Sequence, residues 1–156
     1  MFHIGQSPCW QGLPQNGKGP LHLFRLSKIN TKYIEGFVDE LSKKGFVDKI
    51  IKRHYGNVDF YLNDFLLRED ALTMENGCKD EYLSNFFGYF FIRKCMWSTP
   101  DTVKSTMASL KKFYRFMYES NRLSKEDYEE FMDTIRIDKE YWIDCCSKYN
   151  DGISEW

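Results

Sequence analysis

The chain has 156 residues, of which 42% are hydrophobic and 17% aromatic, and its formal net charge at pH 7 is −1. This length suits one domain, and this apolar content is enough to fill a core, so extensive disorder is excluded. The small net charge also excludes a protein that is basic throughout. The charge is unevenly placed, because residues 1–123 carry +5 and residues 124–156 carry −6. That asymmetry is the first functional signal.

The cysteines and histidines form no recognisable metal-binding pattern. The cysteines are Cys9, Cys78, Cys95, Cys145 and Cys146. Their number is odd, none are spaced as C-x-x-C, and only three histidines accompany them. We therefore expect buried or idle thiols in a reducing, cytoplasmic environment, with no metal and no other cofactor.

Sequence signatures of catalysis and of membrane insertion are also missing. The chain contains no Gly-rich phosphate loop, no H-E-x-x-H and no G-x-S-x-G, so we do not expect an enzyme. Residues 1–10 lack the basic start and the apolar run of a signal peptide. The longest apolar run, at residues 86–92, is too short to span a bilayer, and no membrane partner is expected.

The N-terminal part of the chain is rich in residues that break regular structure. Residues 1–20 contain four glycines and three of the four prolines. This composition predicts an irregular segment over residues 1–29. A short β-hairpin that pairs residues 2–4 with residues 21–26 is compatible with the same stretch.

Hydrophobic spacing then predicts three helices. The first begins near Asn30 and ends before Gly45, which we expect in a left-handed conformation. The second covers residues 47–67, with Val47 on its inward face. The third covers residues 81–95, with Asp80 as its N-cap.

The third helix is apolar on nearly every side, which predicts a central, buried position. Composition alone also allows a strand at residues 86–92. Helical spacing of the aromatic residues favours the helix. We expect its rings to pack at the centre of the core, as the side chains of Phe86, Phe87 and Phe90 against those of Val58, Val103, Met107 and Leu110.

The fourth helix has the most complete signals of the chain. Thr99 suits the N-cap, Pro100 suits the first helical position, and Asp101 suits the positive end of the helix dipole. One side of this helix is apolar, through Val103, Met107, Leu110, Tyr114 and Met117. The other side is basic, with four Lys or Arg against one acidic residue in residues 101–118.

Residues 121–156 are predicted as an acidic, helical C-terminal extension. Ser124 begins a capping box for a fifth helix, and Asp138 is expected to cap a further one. The apolar stripe of this segment has to be buried, either on its own bundle or on another chain. Residues 124–149 are therefore a candidate surface for homo-oligomers or for a protein partner.

A single histidine, His54, lies near the apolar side of the second helix. A lone histidine in that position is more often a hydrogen-bonded core residue than a ligand or catalytic group. We therefore interpret it as structural.

Two segments open helices that are apolar on one side and basic on the other. They are KKGFVDKIIKRHYGNVDFYLNDFL at residues 43–66 and MWSTPDTVKSTMASLKKFYRFMYE at residues 96–119. The second carries Thr99, Thr102 and Val103, followed by SLKKFYRFM. With YIEGFVDEL ahead of them, these segments resemble the N-terminal core-binding domain of the tyrosine recombinases, the phage integrase family.

The first segment follows the family pattern only in part. The family usually has Gly-Leu-Ser-x-x-Thr-Ile at this point. Gly45, Phe46 and Ile51 fit, but Val47 replaces the Ser and Ile50 replaces the Thr. The resemblance covers residues 31–120 and implies a four-helix, SAM-like bundle over residues 30–120, followed by one or two extra helices.

The resemblance also implies a partner and a surface. Core-binding domains of this family clamp duplex DNA with the basic faces of their second and fourth helices. By position, the DNA-binding residues would be Lys49, Lys52, Arg53, Lys104, Lys111, Lys112 and Arg115. Cations along exposed helix faces neutralise phosphates and release counterions, which agrees with this assignment.

The chemistry of the recombinases belongs to a second domain with arginines, a lysine, histidines and a tyrosine nucleophile. The residues after 120 contain no histidine and only one arginine within the helical part, Arg136. They cannot supply that set, so we expect a non-catalytic DNA-binding module. The alternative is a helical bundle that binds proteins and has lost DNA binding; a continuous basic patch across the two helices would favour the first reading.

Overall fold

The structure is a computed structural model that describes residues 19–154. Over this range the chain forms five continuous helices and no strand, as expected for an all-α protein. They are α1 (Pro20–Lys43), α2 (residues 48–70), α3 (residues 80–94), α4 (Pro100–Glu119) and α5 (Lys125–Ser154). Helices α2 and α3 each contain a wider, π-helical stretch, at Phe60–Leu66 and Phe86–Phe90.

Helix α1 begins much earlier than predicted. Gly19 is its N-cap and Pro20 its first residue, a position where the missing N–H of proline costs no hydrogen bond. Residues 21–26 are therefore helical, and the predicted strand there is wrong, as is an irregular segment that reaches residue 29. Leu23 is buried on the same side of α1 as Asn30 and the apolar residues that follow. Packing of this side of the helix therefore stabilises the helical conformation of residues 21–26 as well. The partner strand at residues 2–4 lies outside the described range.

Two of the predicted helix ends, at Gly45 and at Thr99, are confirmed, and two other predictions at helix starts are wrong. Gly45 ends α1 with a φ of 86°, a backbone conformation that favours glycine. Thr99 and Thr102 form a capping box at the start of α4, with each side-chain oxygen accepting the other residue's backbone N–H at 3.1 and 2.7 Å. Asp80 is not a cap, because Lys79 holds that position. Val47 precedes α2 and is exposed, contrary to its predicted inward orientation.

The predicted aromatic centre of the core is confirmed as helical, and two of its three rings, those of Phe86 and Phe87, are buried. The ring of Phe86 lies 4.8 Å from that of Tyr61 and 5.0 Å from that of Phe65, between centroids. The ring of Phe87 stacks on Trp142 of α5 at 5.0 Å. Phe90 is half-buried. The aliphatic residues expected around these rings belong to the same core, but the ring-to-ring contacts are with α2 and α5.

The C-terminal segment is one helix that packs on its own bundle. Asp138 does not start a new helix, because residues 125–151 contain no glycine or proline and their apolar residues keep one helical register. Phe131, Ile135, Trp142 and Cys146 are all buried. Within the described range, the apolar stripe of α5 is thus covered by the same chain, and α5 completes the core.

Trp142→Ala tests whether α5 is an integral part of the fold. Because this indole is almost fully buried against Phe87, we expect the free energy of unfolding to fall by about 3–5 kcal/mol in urea denaturation. Ile137→Ala is the matched control on the exposed side of α5, and it should change the same quantity by less than about 0.5 kcal/mol. Similar losses for both variants would contradict the packing.

Candidate nucleic-acid interface

Helices α2 and α4 meet along a seam of polar side chains. His54 Nδ1 lies 2.7 Å from Ser109 Oγ, and Asn57 Nδ2 donates to Ser109 Oγ at 2.9 Å and to Ser105 Oγ at 3.2 Å. As residue numbers rise along α2 they fall along α4, so the helices run antiparallel. The seam fixes which turn of α2 faces which turn of α4.

The hydroxyl of Ser109 is the meeting point of this seam. It accepts a hydrogen bond from Asn57 at 2.9 Å, and it lies 2.7 Å from Nδ1 of His54 and 3.1 Å from the backbone oxygen of Ser105. Because the hydroxyl has one hydrogen to donate, the direction of its bond with His54 is set by the tautomer of the imidazole. His54 is buried and hydrogen-bonded, as its structural interpretation predicted.

Cations from both helices surround His54. Its pKa is lowered from the ordinary value, first by burial and then by the positive charges of Arg53 on α2 and Lys112 on α4. Two helices therefore bring positive charge to the same point of the seam. Lys112 also places its ammonium 5.2 Å from the centre of the Phe46 ring, at the edge of this face.

All seven predicted DNA-binding side chains are exposed. Only Arg115 has a carboxylate partner, because its Nε donates to Glu119 at 3.1 Å. In the part of the chain that the structure describes, no ion pair neutralises the other six, which are Lys49, Lys52, Arg53, Lys104, Lys111 and Lys112. We name these seven residues the basic face.

The cations of the basic face from the two helices lie closest to one another at the seam. Lys49 and Arg53 lie one turn apart on the same side of α2 as Asn57, so they border the seam. Lys52 lies on the adjacent side of the helix. Lys112 borders the seam from α4. Lys111, Lys112 and Arg115 together line a groove between α4 and α5. The two helices thus bring together Arg53 and Lys112, and Lys112 in turn lies beside Lys111 and Arg115 along this groove.

Two acidic residues of α5 bind a lysine outside this groove. The α5 side chains that line it are Tyr128 and Met132, which carry no charge. Asp127 and Glu130 bind Lys79 instead, at 2.7 and 3.5 Å. The large negative charge of the C-terminal segment therefore does not neutralise the basic face through these contacts.

The described residues contain no candidate metal site. No three of their His, Cys, Asp or Glu side chains are placed to hold one ion. The four described cysteines are free thiols, and Cys78, Cys95 and Cys146 are buried. Burial raises the pKa of the Cys95 thiol to about 11, which keeps it protonated at neutral pH. None of the helices in this range is both long and apolar enough to cross a bilayer.

Sequence reasoning identified the cations but missed what aligns them. The residues of the seam are Asn57, Ser105 and Ser109 together with His54. The two serines are one turn apart at the border of the apolar stripe of α4. That spacing is the only feature of the sequence that points to a polar contact between α2 and α4.

Comparisons of the chain with family models, curated proteins and solved structures returned no match. The likeness to recombinase core-binding domains therefore rests on the motifs quoted above.

His54→Asn tests the seam through the pH dependence of stability. Because burial and neighbouring cations lower the folded-state pKa of His54, its protonation opposes folding as the pH falls below about 6.5. Asn keeps a hydrogen-bonding amide near the position of Nδ1 but does not titrate. We expect the free energy of unfolding to fall less steeply in the variant than in the parent between neutral and mildly acidic pH. Parallel pH profiles would count against a buried, cation-flanked imidazole.

Proposed function

We propose that this chain is a non-catalytic DNA-binding module that contacts the backbone of duplex DNA through the basic face. The observation that carries the proposal is the pair of antiparallel helices with cations on both sides of one seam. Six of the seven cations have no carboxylate partner within the described residues, so their charge is available to phosphates.

The dimensions of the basic face suit a duplex. Lys104 and Arg115 are eleven residues apart on α4, which is about 16 Å along a helix axis. That length corresponds to about five base-pair steps of 3.4 Å. Such contacts position a protein on DNA without reading its sequence, so we expect binding with little sequence preference.

The resemblance to the tyrosine recombinases supports a role in DNA recombination or integration. We propose that the helices preceding α5 form a SAM-like, core-binding unit, in which α2 and α4 take the positions of the family's DNA-contacting helices. The catalytic groups of that chemistry would then come from elsewhere, since the residues after 120 do not contain them.

A protein-binding role for α5 is the second candidate. Ile137 and Tyr141 are one turn apart on α5, and each is 66% exposed. An exposed apolar pair on the otherwise polar outer side of α5 favours contact with another chain. Measuring the mass in solution of the parent and of Ile137→Lys tests this role, and an unchanged monomer in both would remove the support for self-association.

Reversing two charges of the basic face tests the DNA proposal. Arg53→Glu with Lys112→Glu should abolish most duplex binding, because it places carboxylates on both sides of the seam. In the parent, about four phosphate contacts predict a slope near −3.6 for log affinity against log salt concentration. Fluorescence anisotropy with a labelled duplex of random sequence measures both quantities.

The matched control is Arg136→Glu with Lys148→Glu, two exposed α5 cations that already pair with carboxylates of their own helix. This double variant changes the net charge by the same amount, and we expect it to retain most of the parent's affinity for the duplex. Helix content by circular dichroism should be unchanged in both double variants. Equal binding by the Arg53/Lys112 variant and the parent would refute the proposed face.

A further inference from the structure

A groove with aromatic walls opens where α2, α3 and the turn before α4 meet. It holds about 510 Å³, within the range of sites that bind small organic groups. Its walls and rim are formed by Phe60, Asp64, Arg68, Phe90, Lys94, Cys95 and Trp97. The contacts that build the core leave this groove open.

The aromatic wall of the groove is unusually accessible. Trp97 is 59% exposed, and its ring meets that of Phe60 edge to face, with centroids 5.9 Å apart. The Phe60 ring in turn lies 6.0 Å from that of Phe90. Met96, next to Trp97, is fully exposed. An indole held against a second ring but open on its other side is a surface on which a planar group can stack.

The polar groups of the groove are two cations and one carboxyl. Arg68 and Lys94 are exposed, and no carboxylate lies within ion-pair distance of either among the described residues. Asp64 is half-buried, and burial raises the pKa of its carboxyl above the ordinary value. The groove therefore combines a stacking wall, anion-binding groups at the rim and a hydrogen-bond acceptor inside.

The groove continues the seam that aligns the basic face. Asn57 of α2 contacts Ser105 of α4, and one turn further along α2 Phe60 contacts Trp97. Phe60 and Asp64 lie in the π-helical stretch of α2, and Phe90 lies in that of α3. Such stretches are often found at functional sites. A DNA strand lying on the basic face would reach the groove at the end of that face.

We propose that this groove binds an unpaired base of a DNA strand whose neighbouring duplex lies on the basic face. The base stacks on Trp97, the adjacent phosphate is bound by Arg68 and Lys94, and Asp64 accepts a hydrogen bond from a base amino group. This inference rests on the proposed DNA binding and narrows its substrate. The preferred ligand is a duplex with a single-stranded extension or gap, because paired bases cannot enter a groove.

The test compares a blunt labelled duplex with the same duplex carrying a short single-stranded adenine extension. By anisotropy, the extension should tighten binding about tenfold, as expected for base stacking on an aromatic side chain. Trp97→Ala should remove this gain and leave blunt-duplex binding unchanged. Trp97→Phe should retain most of it, and Tyr89→Ala, which removes a similarly exposed aromatic ring outside the groove, should retain all of it.

The outcomes separate this inference from the proposal on which it rests. Equal affinity of the parent for the two DNAs overturns the groove assignment and leaves the duplex proposal intact. An equal loss of affinity for both DNAs in Trp97→Ala has the same consequence. Binding of the extended duplex that depends on Trp97, without binding of the blunt duplex, supports the groove and overturns the duplex proposal. Absence of binding to either DNA by the folded parent overturns both.

Discussion

The hydrogen bonds between His54, Asn57 and Ser109 determine how α2 lies against α4, and the rest of the account depends on that alignment. Polar groups buried between two helices have to find partners, because an unsatisfied one costs about 1–3 kcal/mol. Here one serine hydroxyl of α4 is hydrogen-bonded to both His54 and Asn57 of α2, so sliding either helix by one turn would break both of these bonds. The register that they fix brings Arg53 and Lys112 to the same imidazole.

Helix α5 shows how a segment of charge −6 can pack on the same bundle that carries the basic face. Its apolar face supplies Trp142 and Phe131 to the core, and its carboxylates on one flank bind Lys79. Uncharged side chains of α5 face Lys111 and Arg115. The charge asymmetry of the sequence is therefore an asymmetry between surfaces of one bundle. Removal of α5 would expose its buried contacts, so point substitutions are the appropriate tests.

Sequence reasoning succeeded where several local signals agreed. Helix α4 was predictable because its Thr99 cap, its proline and its apolar stripe all indicate the same start and face. The start of α1 was missed because Gly19 and Pro20 look like loop residues, although they are the N-cap and first residue of a helix. The cations of the basic face were identifiable from helical spacing. Their alignment was not, since the contact of His54 with Ser109 joins residues 55 positions apart.

The central claim is that duplex DNA lies across the seam of α2 and α4. Lysine acetylation footprinting by mass spectrometry, with and without duplex DNA, tests it residue by residue. The account predicts lower acetylation in the complex at Lys49, Lys104 and Lys112, with no change at Lys139 and Lys148, which are exposed on α5. Protection of the α5 lysines, or no protection on α2 and α4 under conditions where DNA is bound, would contradict it.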